Sequence, residues 1–256
     1  MRSRDHVFQQ LLAAKAEKGA GFLLLVDPDK YELPDLLRLV QEATGFGADA
    51  ILIGGSVMLS HHLDDYIRQI KTVTALPVIL FPGSVMQVSR EADAILFLSL
   101  VSGRNPELLI GGHVVVSPVI KAYNLEAIST AYMLVESGRQ TSASFISNTM
   151  PLPRHKPDIA AVHALAAEYM GMKTVYLEAG SGADQSVPEE MIRAVRKTVE
   201  MPIIVGGGIR TPADAHAKVM AGADFVVIGN AFEVRRDEHY LREMIDAVHI
   251  KLPKKI

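Results

Sequence analysis

Cysteine and tryptophan are both absent from the 256 residues, and each absence excludes chemistry. Without cysteine there is no disulfide framework, thiolate nucleophile, Fe–S cluster or zinc ribbon, a composition suited to a reducing compartment. Aromatic residues make up only 6% of the chain. Its apolar mass is therefore Ala, Val, Ile, Leu and Met, as in packed layers of strands and helices rather than a β-sandwich. A basic excess is also lacking: 26 Lys and Arg stand against 29 Asp and Glu, for a net charge of −3. Nucleic-acid binding normally shows a basic excess or stripe, so no nucleic-acid partner is expected. No apolar run reaches the ~18 residues of a membrane span. The stretch Val7-Phe8-Gln9-Gln10-Leu11-Leu12-Ala13 has helical spacing and not the core of a signal peptide. A cytoplasmic protein is the expectation. The basic end Lys251-Leu252-Pro253-Lys254-Lys255-Ile256 is expected to be a solvated tail, with at most a weak attraction to anionic lipid.

What the chain does contain is a series of short, unbroken apolar runs, at 22–26, 50–53, 77–81, 94–98, 174–177, 203–205 and 225–228. Runs that do not alternate mark strands buried on both faces, which means a parallel sheet. Helical patterns lie between them, among others at 33–44, 158–170, 188–199 and 212–221, several opening on Pro or an acid and closing on Gly45, Gly171 or Gly222. The stretch 105–147 must then supply an eighth strand. Segment 113–120 is rich in Val, but 127–135 restores even spacing and leaves 105–123 as the preceding helix. Residues 141–148 would add a small strand or hairpin outside the barrel. The expected fold is thus α/β, a single (β/α)8 TIM barrel occupying residues 1–256. Similar Pro-started strand motifs at Pro77 and Pro202, 202 − 77 = 125 residues apart, fit two half-barrels of four units. One unit is short. Only Ser84 to Glu91 separate Gly83 from Ala92, about two helical turns, so the third helix is expected to be missing or stunted. The flank it leaves would be apolar.

Functional groups of such a barrel sit at the C-terminal strand ends and in the adjoining loops. Those positions hold Asp27-Pro28-Asp29-Lys30, Gly54-Gly55-Ser56, Tyr176-Leu177-Glu178-Ala179-Gly180-Ser181-Gly182-Ala183, Gly206-Gly207-Gly208-Ile209-Arg210 and Gly229-Asn230. Glycines after strands seven and eight let backbone N–H groups close on an anion, the usual phosphate position of this fold. Asp27, and Ser56 at the next strand end, are hard oxygen donors suited to Mg²⁺, although an Asp in such a loop can equally cap a helix. Asp29 either caps a helix or pairs with Lys30. Tyr176 and Glu178 share one face of strand six, and a carboxylate there can serve as general base; a purely structural buried carboxylate is the alternative. The nine His show no metal-binding spacing and are expected mostly at the surface. Lys30, Lys121 and Lys156 fall outside the strand ends proper, against a Schiff-base aldolase. On these residues alone an FMN oxidoreductase, a phosphosugar isomerase or a non-catalytic phosphate-binding protein stays open.

Taken in order, Leu24-Leu25-Val26-Asp27-Pro28-Asp29-Lys30, Gly54-Gly55-Ser56, Ser99-Leu100-Val101-Ser102-Gly103-Arg104-Asn105-Pro106, Lys156-Pro157-Asp158-Ile159, residues 176–183 and residues 205–210 resemble the geranylgeranylglyceryl phosphate synthase family. The likeness is to its second group and spans essentially the whole chain. The family is a modified TIM barrel without its third helix. The resemblance implies a Mg²⁺-dependent prenyltransferase. It would join the C3 hydroxyl of sn-glycerol 1-phosphate to a long-chain prenyl diphosphate, geranylgeranyl diphosphate above all. It also implies that Asp27 and Ser56 bind Mg²⁺ and that Glu178 takes the proton. Tyr176, Leu177, Glu178, Ala179, Gly180, Ser181, Gly182, Gly207, Gly208, Gly229 and Asn230 would hold glycerol 1-phosphate. The prenyl tail would run past Phe81, Val85, Met86, Phe97 and Leu100. Two departures from the family pattern, Ser129 in Ile128-Ser129-Thr130-Ala131-Tyr132 and His155, lie away from the phosphate and metal positions. A homo-oligomer, dimer or hexamer, is implied, as is peripheral membrane contact for product release.

Overall fold

A computed structural model describes residues 5–58, 62–235 and 237–250. Eight parallel strands close into a barrel in sequence order: β1 (Gly21–Val26), β2 (Ala50–Ile53), β3 (Val78–Leu80), β4 (Ala94–Leu100), β5 (Glu126–Leu134), β6 (Thr174–Glu178), β7 (Ile203–Gly206) and β8 (Phe225–Ile228). The ring is sealed by β1 against β8, with Gly21 opposite Phe225 and Leu24 opposite Ile228. The helices are α1 (His6–Lys18), α2 (Leu33–Gly45), α3 (Leu63–Val73), α4 (Gly112–Tyr123), α5 (Ser142–Ile146), α6 (Pro157–Tyr169), α7 (Glu189–Thr198), α8 (Pro212–Ala221), α9 (Asn230–Val234) and α10 (Glu238–Val248). None of the described helices is long and apolar enough to cross a membrane.

Successive strand residues alternate between two packed layers. Leu24, Ile51, Ile53, Val175, Leu177, Val205 and Val226 face outward into the helices. Leu23, Leu52, Ile79, Leu96, Ile128, Tyr176, Ile204 and Val227 fill the interior. Both faces are thus dry, which is why the strands read as unbroken apolar runs. Val7 and Leu11 of α1 join the inner cluster and stopper the N-terminal end of the barrel. The stopper is pinned by buried Glu126, whose two oxygens accept from the Val7 and Phe8 N–H groups at 2.6 and 2.8 Å.

No helix follows the third strand, as expected: residues 81–93 link β3 to β4 without helix. Buried Gln87 braces this link. Its amide donates to the Gly55 carbonyl at 3.0 Å and its oxygen accepts from Gly83 N–H at 3.0 Å. The Val-rich 113–120 segment is helical in α4. Pro118 removes one backbone donor there, and Val114, four residues earlier, is exposed, so its carbonyl can turn to water.

The expectation of a strand or hairpin at 141–148 is overturned, because these residues form α5. Thr141 and Ser144 make a reciprocal cap, Thr141 N–H donating to Ser144 Oγ and Ser144 N–H to Thr141 Oγ1. That pair fixes a helix start where propensity alone favours extension. The C-terminal tail at 251–256, and His61 of the His61-His62 pair, lie outside the described residues.

Replacing Glu126 by Ala leaves the first N–H groups of α1 unpaired inside the barrel base. We expect a loss of about 1–3 kcal/mol, read as a lower urea midpoint with unchanged slope; an unaltered midpoint would show that α1 is held by apolar contacts alone.

Candidate active site

A cavity of about 940 Å³ opens at the C-terminal end of the strands. Strand order sets its layout. Loops after β6, β7 and β8 contribute Gly180, Ser181, Gly182, Gly207, Gly208, Gly229 and Asn230 as one polar wall. Asp27 after β1 and Ser56 after β2 come next around the ring. Beyond them, where no helix follows β3, Phe81, Val85, Val88, Phe97, Leu100 and Leu108 form an apolar arm. Its outer cover is α4, whose Gly112 backs directly onto the Val85 side chain.

Glu178 ends β6 with its side chain inside the barrel and is 5% exposed. Desolvation pushes its carboxyl up to about 7, offset in part by the Gly180 N–H, which donates to Oε1 at 2.5 Å, and by the nearby Tyr176 hydroxyl. The Tyr176 hydroxyl is itself buried and lacks a partner of good hydrogen-bond geometry. Burial first, and then the Glu178 charge, push its phenol well up, so it stays protonated. Gly207, at φ +83°, lies so close that a Cβ there would fall 2.3 Å from Glu178 Oε1 and 2.4 Å from Gly180 N. A side chain at 207 would expel the carboxylate from its place. Arg210 ties the two glycine loops together by donating to the Ala183 and Asp184 carbonyls at 2.5 and 3.2 Å.

Asp27 does cap the short 3₁₀ turn Pro28–Lys30, accepting from Asp29 N–H at 3.1 Å, yet it also lines the cavity. Its carboxylate rests against Gly55, where a Cβ would come within 2.8 Å of Oδ2. Burial holds the Asp27 carboxyl above its usual range, and the neighbouring Asp29 and Glu233 charges push the same way.

Most expected site residues therefore converge, with three exceptions. Leu177 and Ala179 turn their side chains into the outer layer by strand alternation, so only their backbone is near the cavity. Met86, expected along the prenyl path, is instead 85% exposed and off the cavity wall. Lys30, set aside from the sequence, does line the cavity. His113 also departs from the surface expectation: it is buried on α4 against the Phe97 ring, centroids 4.4 Å apart, and burial pushes its imidazole pKa down. Glu233 was not foreseen. It accepts from Asn230 Nδ2 at 2.8 Å and lines the cavity; the three-residue spacing on a helical turn was its only signal.

Residues 13–249 match the model of the PcrB family. The chain belongs to that family. A geranylgeranylglyceryl phosphate synthase of Chitinophaga pinensis is 47% identical over 249 residues, 97% of this chain and 98% of that one. The protein of the same name from Pyrococcus horikoshii is 40% identical over 94% of each chain. Among solved structures, (S)-3-O-geranylgeranylglyceryl phosphate synthase from Thermoplasma acidophilum, in complex with its substrate sn-glycerol-1-phosphate, superposes with a TM-score of 0.89. It is 33% identical, and the match covers 95% of this PcrB-family chain and 98% of that one.

The buried carboxylate makes a prediction about stability. Unfolded, Glu178 titrates near 4.5; folded, near 7. The folded state therefore holds the proton more tightly. The stability this lends is complete below pH 4.5 and is lost as pH rises to about 7. Glu178→Gln has no such loss, so its stability relative to wild type should grow by about 3 kcal/mol between pH 5 and 8. Parallel urea melts would contradict the assignment if the difference did not change with pH.

Proposed function

We infer that this chain is a geranylgeranylglyceryl phosphate synthase, joining the C3 hydroxyl of sn-glycerol 1-phosphate to geranylgeranyl diphosphate. The observation that carries the reading is the position of Glu178. One buried carboxylate, with its pKa near neutrality, stands where a glycine-walled anion cradle meets an apolar arm. Named synthases align with the chain over nearly its whole length, which supports the same conclusion.

Each part of the cavity then has a task. Backbone N–H groups of the loops after β7 and β8 receive the phosphate, where glycine lets them approach closely. Tyr176, whose hydroxyl lies by Glu178 without a well-aligned hydrogen bond, offers that hydroxyl to the glycerol. Glu178, as carboxylate, takes the C3 hydroxyl proton as that oxygen attacks. The apolar arm holds the prenyl tail and keeps water from the reacting carbon, and holding both reactants in one cavity supplies much of the rate.

Asp27 and Ser56 fit a magnesium ion. Asp27 is a half-buried carboxylate whose charge burial leaves undercompensated, and Ser56 stands at the adjoining strand end. Magnesium takes one or two carboxylates and completes its shell with water and phosphate oxygens, and Asp27 and Ser56 both line the cavity that would receive those oxygens. When bound, the ion would neutralise charge on the diphosphate leaving group. The same reading expects a cytoplasmic homo-oligomer with peripheral membrane contact at product release; exposed Ile110, Val114 and Val115 on and beside α4 offer apolar surface for such contacts.

The test is a panel of prenyl diphosphates of increasing length against both glycerol phosphate enantiomers, with and without Mg²⁺. Transfer to sn-glycerol 1-phosphate, best with the C20 donor, is expected; no transfer from any pair would sink the reading. Asp27→Asn should abolish Mg²⁺-dependent turnover while glycerol 1-phosphate still binds by calorimetry. Because the base must be ionised, turnover should rise with pH through about 7 and then level off, and Glu178→Gln should lose that rise along with at least ~100-fold in kcat.

A further inference from the structure

Three aromatic rings stand together on the cavity floor beside Glu178. Phe81, directly after β3, and Tyr176 on β6 lie nearly parallel, with ring centroids 5.3 Å apart and planes 15° from each other. Tyr132 on β5 stands at 83° to Tyr176 and 74° to Phe81, with centroids 5.4 and 6.0 Å away. The three make a corner, and all of them line the cavity. In a chain with 6% aromatics, this is a concentration of rings at one depth of the barrel. Stacked and edge-to-face packing account for the angles, but they give no reason for rings at this height.

The prenyl transfer inferred for this cavity gives one, and the role of the rings rests on that reading. An oxygen giving its proton to Glu178 lies within about 3 Å of the carboxylate, and the carbon it attacks is another ~3–3.5 Å away. Tyr132 is paired in register with Tyr176, which shares the inward face of β6 with Glu178 two residues on, and all three line the cavity. The attacked carbon is therefore held over the same floor. In the transfer, the C1–O bond of the allylic diphosphate breaks and its electron pair leaves on the diphosphate oxygen. Positive charge spreads over C1 and C3 of the allyl group. A lone pair of the glycerol oxygen then forms the new C1–O bond, and the hydroxyl proton passes to Glu178. An aromatic ring stabilises a nearby cation through its quadrupole, most strongly where water is excluded. Unlike a carboxylate, it does not trap that cation by bonding to it.

We propose that Tyr132 is a further catalytic residue, its ring closing a corner with Phe81 and Tyr176 against which the allylic cation forms. Val, Leu or Met would fill the same space without the electron-rich face. The Tyr132 phenol stays protonated beside Glu178, so the ring and not a phenolate meets the cation.

The test begins with single-turnover prenyl transfer by the wild-type chain. Tyr132 is then replaced by Phe and by phenylalanines carrying one, two and three ring fluorines, which weaken the ring's negative face at nearly constant shape. From Phe to trifluorophenylalanine the transfer rate should fall stepwise by about tenfold, with KM for both substrates unchanged. Tyr132→Leu should lose at least as much, at a melting temperature that shows it folded. A flat rate across the fluorinated series overturns the proposal, and so does a change confined to KM, which would assign the ring to tail packing. An inactive wild-type chain would instead bring down the prenyl-transfer reading, and this proposal with it.

Discussion

The cavity depends on keeping a charged group out of water. A carboxylate in a dry interior is unfavourable unless donors face it, and Glu178 has one backbone N–H and a phenol nearby for that purpose. The neighbouring structure is shaped by this need. The glycine at 207 is required because the carboxylate occupies the space a Cβ would take. The loop after β6 must turn back so that Gly180 N–H can reach Oε1, and Arg210 clamps that loop to the next one. Barrel closure supplies the rigidity, since a displaced β6 would have to break its ladders with both β5 and β7.

The missing helix does the opposite work. Where a full βα unit would bury the flank, residues 81–93 leave Phe81, Val85 and Phe97 lining an open arm. An exposed apolar wall is unfavourable, and the fold limits it: Gln87 ties the short link to the β2 loop and α4 leans over it through Gly112. A polar cradle and an apolar arm thus meet at a single carboxylate because two neighbouring regions of one ring are built differently.

The barrel was legible because parallel strands dry on both faces write their burial into continuous runs such as Phe22-Leu23-Leu24-Leu25-Val26. The short third unit was legible by counting residues. Helix α4 could be placed only by spacing, since its Val-rich composition points to a strand. Helix α5 was missed because its cap is a Thr–Ser pair three apart, a weaker signal than an acidic partner gives. At the site, strand period placed Tyr176 and Glu178 inward, and the same period removes the Leu177 and Ala179 side chains from the cavity. Tyr132 and Glu233 were passed over as site residues because the neighbours that bring them into the site lie on other strands or turns. No local pattern reports which rings meet across a barrel.

The α1 stopper bears on the order in which the chain takes shape. Its anchoring acceptor is 119 residues away, on β5. Helix α1 also touches β1, and its Lys18 bonds Gly47 and Asp49 just before β2, but its first turn finds its acceptor only once β5 is in place. Until then its leading N–H groups lack Glu126, whatever α1 has already packed against. Closing so long a loop is slow relative to local steps. The Glu126 clasp at the base of the barrel, remote from the chemistry, is thus the contact that ties the two halves of the chain together and the one with most loop entropy to overcome.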